Sequence, residues 1–223
     1  MLVKGGAPRM TDRTISVRLY SYKQTHDTGF APNPFHGVCT LATCKPGIRR
    51  SKRVGDWIAG FTSKELNGDR VGHERLIFLM RVAEKLPFEV YNTDPRFAAK
   101  IPARGSERSV ETVGDNIYGK RDGDIFQRPN RSHTDEDTAK DTGGLFVLIG
   151  TTFAYFGSAP LSIPDDVRPK LPVGPTLHGD WTKDPVRAQE FVDFVLARGR
   201  GIHAQPTSWR TGDTSWKTQR PCG

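Results

Sequence analysis

The sequence predicts a β-rich α+β fold, a small and partly open barrel with few helices. Short apolar segments of strand length recur along the chain, and glycines and prolines separate most of them. Only one long segment, near the C-terminal end, has the spacing of an amphipathic helix. With 223 residues, of which 35% are hydrophobic, the chain suits one domain that buries a core of its own.

The predicted strands follow from apolar patterning. Residues 15–22 alternate as a half-buried strand does, and the apolar segments 57–61 and 76–82 predict two further strands. The strongest apolar segment, 145–156, is interrupted by a glycine and two threonines, which predicts two strands joined by a bend. Residues 83–88, which follow the third strand, are expected to leave the sheet.

Two helix starts are indicated. Asp184 and Pro185 are the residue types of a helix cap and first turn, and apolar residues then recur at helical spacing until Gly199. Residues 93–97 combine a capping side chain with a proline in the same way. Residues 104–144 are polar and interrupted by glycine and proline, so only short elements are expected there.

The chain is basic, with a formal net charge of +8. Lysines and arginines cluster between residues 45 and 53 and again after residue 197. Such clusters attract phosphate groups through counterion release, so the sequence predicts nucleic acid, DNA in the first place, or a nucleotide as partner. A solvated basic face without a partner is the alternative.

We expect residues 1–13 to be a disordered lead-in, 14–200 to form a single domain and 201–223 to form a polar basic arm. The sequence has no apolar segment near the ~20 residues that a membrane span needs, and its first residues lack the apolar region of a signal peptide, so we expect neither. No membrane association and a cytoplasmic location are therefore expected. The odd number of cysteines, three, argues against a disulfide framework.

The segment from residue 26 to residue 53 is the most informative part of the sequence. It combines a His-Asp pair, an asparagine between two prolines, two cysteines and a basic run, and most of it lacks strand or helix periodicity. Long ordered loops with so many reactive side chains are more often functional sites than connections. We therefore predict that this loop builds the site of the protein.

The first half of this loop offers two candidates. His26 and Asp27 are a candidate general acid–base pair, although neighbours on an extended chain point in opposite directions. The alternative is that Asp27 caps a turn and His26 packs. Asn33, between two prolines, is a rigid amide suited to reading the edge of a base, or else a turn residue that binds its own loop.

Cys44 is the candidate nucleophile. Its thiol lies next to Lys45 and upstream of two arginines, and positively charged surroundings favour the reactive thiolate. A buried cysteine that acts as a small apolar residue is the alternative. The spacing of His36, Cys39 and Cys44 does not match a zinc site, so no metal site is predicted, and no motif indicates a cofactor.

Phosphate and base contacts are predicted around the same loop, because arginine forks and lysine charges bind phosphate and hydroxyl groups add hydrogen bonds. The aromatic candidates, Trp57 and Tyr155, suit stacking on a base, with the core as the alternative for both. The polar segment 128–141 could cover a pocket as a mobile lid or hold a metal ion through its carboxylates. The alternative is a solvated polar loop. The predicted nucleotide or nucleic-acid contacts are Asn33, Thr40, Lys45, Arg49, Arg50, Trp57 and Tyr155.

The run of residues 26–50, followed by GDWIAGFTS, resembles the second of the nucleotide-modification-associated domain families. The resemblance is most specific over residues 19–63 and continues at 94–97, 153–157 and 201–203. These families belong to bacteria and their phages and are inferred to act in systems that modify DNA bases. The resemblance thus implies a modified-base context and other proteins of a modification system as partners.

The layout of residues 55–97 is similar to that of PUA-like domains of the EVE and ASCH kind. In both, a Gly-Asp turn leads into a strand, and an Asp-Pro segment follows a later strand. This similarity implies a small β-barrel that binds nucleic acid, with a flipped base held in a pocket in several members. Residues 104–144 have no counterpart in that layout.

Two main hypotheses about function follow. In the first, the loop of residues 26–50 forms a pocket for a nucleotide or a flipped modified base, and Asn33 and Asp27 read the base edge. In the second, the protein is an enzyme that synthesises or trims a modified nucleobase, with Cys44 as nucleophile or His26 and Asp27 as the acid–base pair. A docking module that uses the basic arm is a third option.

Overall fold

The computed structural model describes residues 16–172 and 178–218, and strands predominate over helices in these ranges. The β-rich α+β class predicted from the sequence is confirmed, and the described strands close no barrel. The expected lead-in at residues 1–13, the third cysteine, Cys222, and part of the arm lie outside the described residues.

The strands form three sheets within the described ranges. The largest has six strands and the second has three, and the third is a two-stranded hairpin. The strands are β1 Leu19–Lys23, β2 Cys39–Leu41, β3 Trp57–Phe61, β4 Leu76–Arg81, β5 Glu84–Pro87, β6 Tyr118–Arg121, β7 Asp124–Gln127, β8 Phe146–Gly150, β9 Thr152–Tyr155, β10 Gly179–Asp180 and β11 Gly201–Ile202.

In the large sheet the order is β10-β1-β3-β4-β9-β11, with parallel pairing of β1 to β3 and of β11 to β9, and antiparallel pairing elsewhere. The second sheet has the order β2-β8-β5 and is antiparallel throughout. Strands β6 and β7 form the hairpin. This second sheet is the one that positions the candidate site.

The helices are short except for the last one. None of those described is long and apolar enough to cross a bilayer. The helices are α1 Pro46–Ser51, α2 Lys64–Asn67, α3 Phe88–Thr93, α4 Ser109–Thr112, α5 Thr138–Thr142 and α6 Pro185–Leu196, and 3-10 turns span Pro95–Lys100, Asp135–Asp137 and Ser215–Thr218.

Several predicted elements are confirmed. Strand β3 has the predicted bounds, the long apolar segment divides into β8 and β9 at Thr151, and Asp184 caps α6 by accepting from the Arg187 N–H. Residues 84–87 do leave the large sheet, but they form β5 of the second sheet, which was not expected. Strand β2 and helix α1, inside the reactive loop, were also missed, because three and six residues are too few to display a period.

The large sheet is covered on both faces. On one face Trp57 and Phe61 belong to the core that α6 completes with Phe191 and Val195. On the other face Ile58 packs in a core that includes residues of β2, β8 and α1. Burial on both faces explains why β3 and β4 are continuously apolar in sequence, since neither strand has a wet side.

A buried polar network ties the reactive loop to the segment around residue 100. Asn33 and Thr40 exchange main-chain hydrogen bonds across the loop, and both are fully buried. The ammonium of Lys100, also buried, donates to Asn33 Oδ1 at 2.7 Å and to Val38 O at 3.1 Å. Thr40 Oγ1 donates to Asp115 Oδ2 at 2.6 Å. Burial raises the pKa of the Asp115 carboxyl, and the charge of Lys100 opposes that rise.

We expect Lys100→Met to lower the free energy of unfolding by about 3 kcal/mol, because buried acceptors then lose a charged donor. The measurement is urea unfolding of both proteins, followed by circular dichroism. Lys64→Met is the matched control, because Lys64 is exposed on α2 and its substitution should leave stability nearly unchanged. Equal effects of the two changes would contradict the network.

Candidate active site

Three side chains from distant parts of the sequence form a hydrogen-bonded relay. Cys44 Sγ lies 3.3 Å from Nε2 of His133, and Nδ1 of the same ring lies 2.7 Å from Oδ2 of Asp141. Asp141 is buried, whereas Cys44 and His133 are partly exposed. A thiol, an imidazole and a carboxylate in this order are the parts of an activated nucleophile with an oriented base.

The Cys44 thiol is presented by an unusual turn between β2 and α1. Cys44 and Lys45 have φ angles of 53° and 40°, in the left-handed region that side chains other than glycine rarely occupy. The turn ends at Pro46, the first residue of α1. The Cys44 N–H donates to Asp141 Oδ1 at 2.8 Å, so the carboxylate that binds His133 also fixes the main chain at Cys44.

Arg49 holds the other side of this turn. Its guanidinium is buried, and it donates to Cys44 O at 2.7 Å, to Phe146 O at 2.9 Å and to Asp141 O. It also forms an ion pair with the Asp141 carboxylate, with 3.8 Å between Nη2 and Oδ1. A Cβ atom on Gly144 would lie 2.5 Å from Arg49 Cζ, so the glycine leaves space for the guanidinium.

His133 is held by its own segment. Its N–H donates to Asn130 Oδ1 at 2.7 Å, and the edge of its ring meets Phe30 at a centroid distance of 4.9 Å. Burial lowers the pKa of His133, but the hydrogen bonds to Asp141 and Cys44 outweigh it and raise the pKa to about 10. The imidazole is therefore predicted to carry a proton at neutral pH, between a carboxylate and a sulfur.

The relay opens on a cavity of about 310 Å³, which is in the size range of small-molecule sites. Lys45, next to Cys44 in the chain, and Arg131, in the segment that carries His133, add positive charge to the wall. The Lys45 ammonium lies 4.7 Å from the centre of the Tyr22 ring, and burial lowers its pKa. The lining residues are Tyr22, Gln24, Thr25, His26, Thr28, Phe30, Ala31, Cys44, Lys45, Arg131, Ser132 and His133.

The same three side chains offer donor atoms of the kinds that bind zinc, all within 4.8 Å of one another. However, Cys44 and Asp141 bind opposite nitrogens of the His133 ring. A metal ion held by Sγ and Nε2 would therefore have Asp141 as the partner of its histidine ligand. Two ligands from the described residues fall short of the four that structural zinc takes, so the geometry fits a proton relay better.

The structure brings three of the sequence-predicted site residues to this cavity, namely His26, Cys44 and Lys45. Asp27 is buried, whereas His26 is exposed, and the Asp27 carboxylate accepts hydrogen bonds from Tyr155 Oη and, at 2.9 Å, from Thr207 N. Burial raises the pKa of Asp27, and these hydrogen bonds oppose that rise. Asp27 and Tyr155 thus form a buried pair that holds the C-terminal segment.

The other predicted contacts lie elsewhere. Asn33 and Thr40 belong to the buried Lys100 network, and Trp57 lies in the core under α6. The Arg49 guanidinium faces main-chain carbonyls, which favours a role in holding the Cys44 turn. Arg50 is exposed and donates to Gly143 O at 3.3 Å.

Sequence reasoning missed His133 and Asp141, which lie in the segment taken as a cover, a metal site or a solvated loop. The signal available was a candidate nucleophilic cysteine with a histidine and an aspartate further along the chain. Four histidines and many acidic residues follow Cys44, so spacing alone does not single out this pair.

Comparison with known proteins supports the context expected from the loop. A model of the nucleotide modification associated domain 2 family matches residues 16–213, which include all three relay residues. No curated protein and no solved structure matches the chain. Because the family model spans most of the sequence, the chain belongs to the nucleotide modification associated domain 2 family.

Proposed function

We propose that the protein is a cysteine-dependent enzyme of nucleotide modification. Cys44 is the nucleophile, His133 exchanges protons, and Asp141 orients His133. One observation carries this proposal, namely the relay from Asp141 through both nitrogens of His133 to the Cys44 sulfur at a cavity wall. The strained turn at Cys44 supports it, because such conformations persist where the surrounding structure enforces them, often at active sites.

The reaction class that suits this relay is acyl transfer on a substituent of a nucleotide. His133 already carries the proton of the pair on Nε2, so the Cys44 sulfur attacks as a thiolate and forms a bond to the carbonyl carbon of an amide or ester. His133 returns the proton to the leaving nitrogen or oxygen as that bond breaks, which leaves a thioester. Water, or an acceptor amine, then gives a proton to His133 and bonds to the thioester carbon, and the Cys44 sulfur leaves as the thiolate, which restores the starting pair.

The substrate is a nucleotide or an extruded base, held in the cavity that the loop of residues 26–50 helps to build. The family supports this choice, as does the net charge of +8. Lys45 and Arg131 line the cavity and suit a phosphate or the negative charge that develops on a carbonyl oxygen. Binding without reaction, as a reader of modified bases, is the second candidate, since the same cavity serves it.

We favour Cys44 over the His26–Asp27 pair as the reacting group. The Asp27 carboxylate is occupied by Tyr155 and Thr207 and does not reach the cavity wall as a partner for His26. His26 is exposed at the rim and remains a candidate for substrate contact.

The function is tested first by mass spectrometry of nucleosides from DNA of cells with the wild-type protein, with Cys44→Ala and with neither. We expect a nucleoside to appear or disappear only with the wild type. If the Cys44→Ala protein produced the same nucleoside change, the enzyme hypothesis would be contradicted. If the protein bound modified oligonucleotides and altered no nucleoside, the hypothesis of a reader of modified bases would be supported.

The rate at which Cys44 is alkylated tests the relay directly. We expect iodoacetamide to modify Cys44 at least about tenfold more slowly in His133→Gln, because the thiol then lacks its proton acceptor. Peptide mass spectrometry follows each cysteine separately, with the fully buried Cys39 as the internal control for unfolding. An unchanged rate at Cys44 would contradict proton transfer to His133.

The protonation of His133 predicts a pH dependence of stability. Its pKa in the folded protein, about 10, lies above its ordinary value of 6.5, so the protonated ring stabilises the folded state. That contribution is complete below about pH 6.5 and is lost as the pH rises through about 10. The difference in melting temperature between wild type and His133→Gln should therefore shrink from about pH 6 to about pH 10. A constant difference would contradict the assignment.

Gly144→Ala tests whether the position of the Arg49 guanidinium supports the relay. The new methyl group would displace the Arg49 guanidinium, so we expect a loss of about 1–3 kcal/mol in unfolding free energy and slower alkylation of Cys44. Gly47→Ala in α1 is the matched control, because a Cβ there meets nothing within 4 Å. The control should leave both quantities nearly unchanged, and equal losses in both variants would show that the guanidinium is not the cause.

A further inference from the structure

Exposed cations surround helix α1 outside the cavity. Arg50 lies in the last turn of α1, Arg53 follows the helix by two residues, and Lys140 lies on α5, which contacts α1. All three side chains are exposed, and none of them belongs to the relay or to the cavity wall. These three residues are called the basic face below.

Hydrogen bonds to the main chain bring these cations together. Arg50 Nη1 donates to Gly143 O at 3.3 Å, which joins the end of α1 to the residue that follows α5. The ammonium of Lys85, on β5, donates to Arg50 O at 2.7 Å and to Lys52 O at 2.8 Å, so it adds a cation where α1 ends. Burial lowers the pKa of Lys85, and the nearby charge of Arg53 lowers it further.

The basic face is continuous with the cavity. Lys45, which lines the cavity, directly precedes the first residue of α1. Burial lowers the pKa of Lys45, and the charge of Lys140 adds to this effect, whereas Cys44 opposes it. The ammonium groups of Lys45 and Lys140 are therefore close enough to repel each other. Positive charge thus extends from the cavity wall along α1 to Arg53.

The nearby carboxylates do not neutralise this charge. Asp141 is committed to the relay, and Asp56 forms an ion pair with Arg18 at 2.5 Å. Among the residues that the structure describes, no carboxylate oxygen lies within 4.0 Å of a charged group of the basic face. Like charges grouped without counterions destabilise a folded state, and a bound anion removes that cost.

The extent of the charge exceeds what one nucleotide requires. Lys45 and Arg131, in the cavity wall, already offer two cations to the phosphate of a nucleotide bound there. The six residues of α1 extend the positive charge by about 9 Å beyond the cavity. That length corresponds to between two and three nucleotide steps of about 3.4 Å each along one strand. The arrangement therefore fits a chain of phosphates better than a single one.

We propose that the substrate is a DNA strand rather than a free nucleotide, and that the basic face binds the phosphates next to the reacting nucleotide. Arg50 and Arg53 bind phosphate through their guanidinium forks, and Lys140 acts as a point charge. The reacting nucleotide occupies the cavity, and the strand continues along α1. The inference rests on the proposed function for the nucleotide nature of the substrate. It does not require Cys44 to react, so binding tests it separately from catalysis.

The experiment is fluorescence anisotropy of the Cys44→Ala protein with a labelled single-stranded DNA of mixed sequence, titrated between about 50 and 200 mM salt. We expect the logarithm of the association constant to fall linearly with the logarithm of the salt concentration. Adding Arg50→Ala, Arg53→Ala and Lys140→Ala together should reduce the magnitude of that slope by about 2, since each phosphate contact on a single strand contributes about 0.7.

The matched control removes the same number and kinds of charge elsewhere. Lys183, Arg187 and Arg198 lie in or beside α6, which covers the opposite face of the large sheet from α1. Changing these three residues to alanine should leave the slope nearly unchanged. Equal reductions in the two triple variants would overturn the proposal, because only net charge would then matter.

Competition separates a DNA strand from other anions. Unlabelled strand should displace the labelled DNA far better than deoxynucleoside 5′-monophosphates at the same nucleotide concentration, and better than polyglutamate at the same charge concentration. Equal displacement by the monophosphates or by polyglutamate would overturn the proposal. The melting temperature of the triple variant of the basic face should match that of the parent, because all three side chains are exposed. A lower melting temperature with an unchanged slope would also overturn it.

The outcomes distinguish this inference from the proposed function. Strand binding with the expected slope, together with unchanged nucleosides in cells, would overturn the enzyme and leave the basic face as a DNA-binding surface. A Cys44-dependent change in nucleosides, together with no strand binding, would overturn this inference alone.

Discussion

The buried guanidinium of Arg49 is the interaction on which the site depends. It binds the main-chain carbonyls of Cys44, Phe146 and Asp141, so one side chain joins the turn before α1, the end of α5 and the start of β8. The ion pair with Asp141 balances its charge. Each of its three nitrogens donates to a carbonyl, and removing one partner of a buried ion pair costs about 3–5 kcal/mol. The distances within the relay depend on these contacts, because Arg49 holds the main chain at both Cys44 and Asp141.

Sheet pairing explains how residues about ninety positions apart meet. Strands β2 and β8 are antiparallel, with Leu41 opposite Leu148, so the chain that leaves β2 runs beside the chain that enters β8. Cys44 follows β2 by three residues, and Asp141 precedes β8 by five. The polar segment before α5 then carries His133 to the open side of Cys44. The cavity therefore lies where a three-residue strand ends, and the large sheet contributes its β1 edge.

These facts separate what was predictable from what was not. Strands β3, β4, β8 and β9 and helix α6 were visible because burial imposes a period or a continuous apolar run. Cys44 and Lys45 stood out through local chemistry. His133 and Asp141 did not, because their meeting with Cys44 depends on the β2–β8 register, which three residues do not encode as a pattern. Arg49 was predicted to contact phosphate, and its structural role was missed because its partners are main-chain carbonyls, which a sequence pattern does not reveal.

The pairing of Asp27 with residues near position 207 links the reactive loop to the segment that follows β11. Thr207 donates to the Asp27 carboxylate, and the Trp209 indole donates to Thr28 O at 2.9 Å. Thr28 and Phe30, just beyond, belong to the cavity wall. The segment around residues 207–209 therefore supports the loop behind this wall of the cavity. A chain that ended before residue 207 would lose the hydrogen bonds to Asp27 and Thr28. The cavity wall at Thr28 and Phe30 would then be less well ordered, while the contacts among Cys44, His133 and Asp141 would remain. A bulky tag fused close to residue 207 would have the same effect.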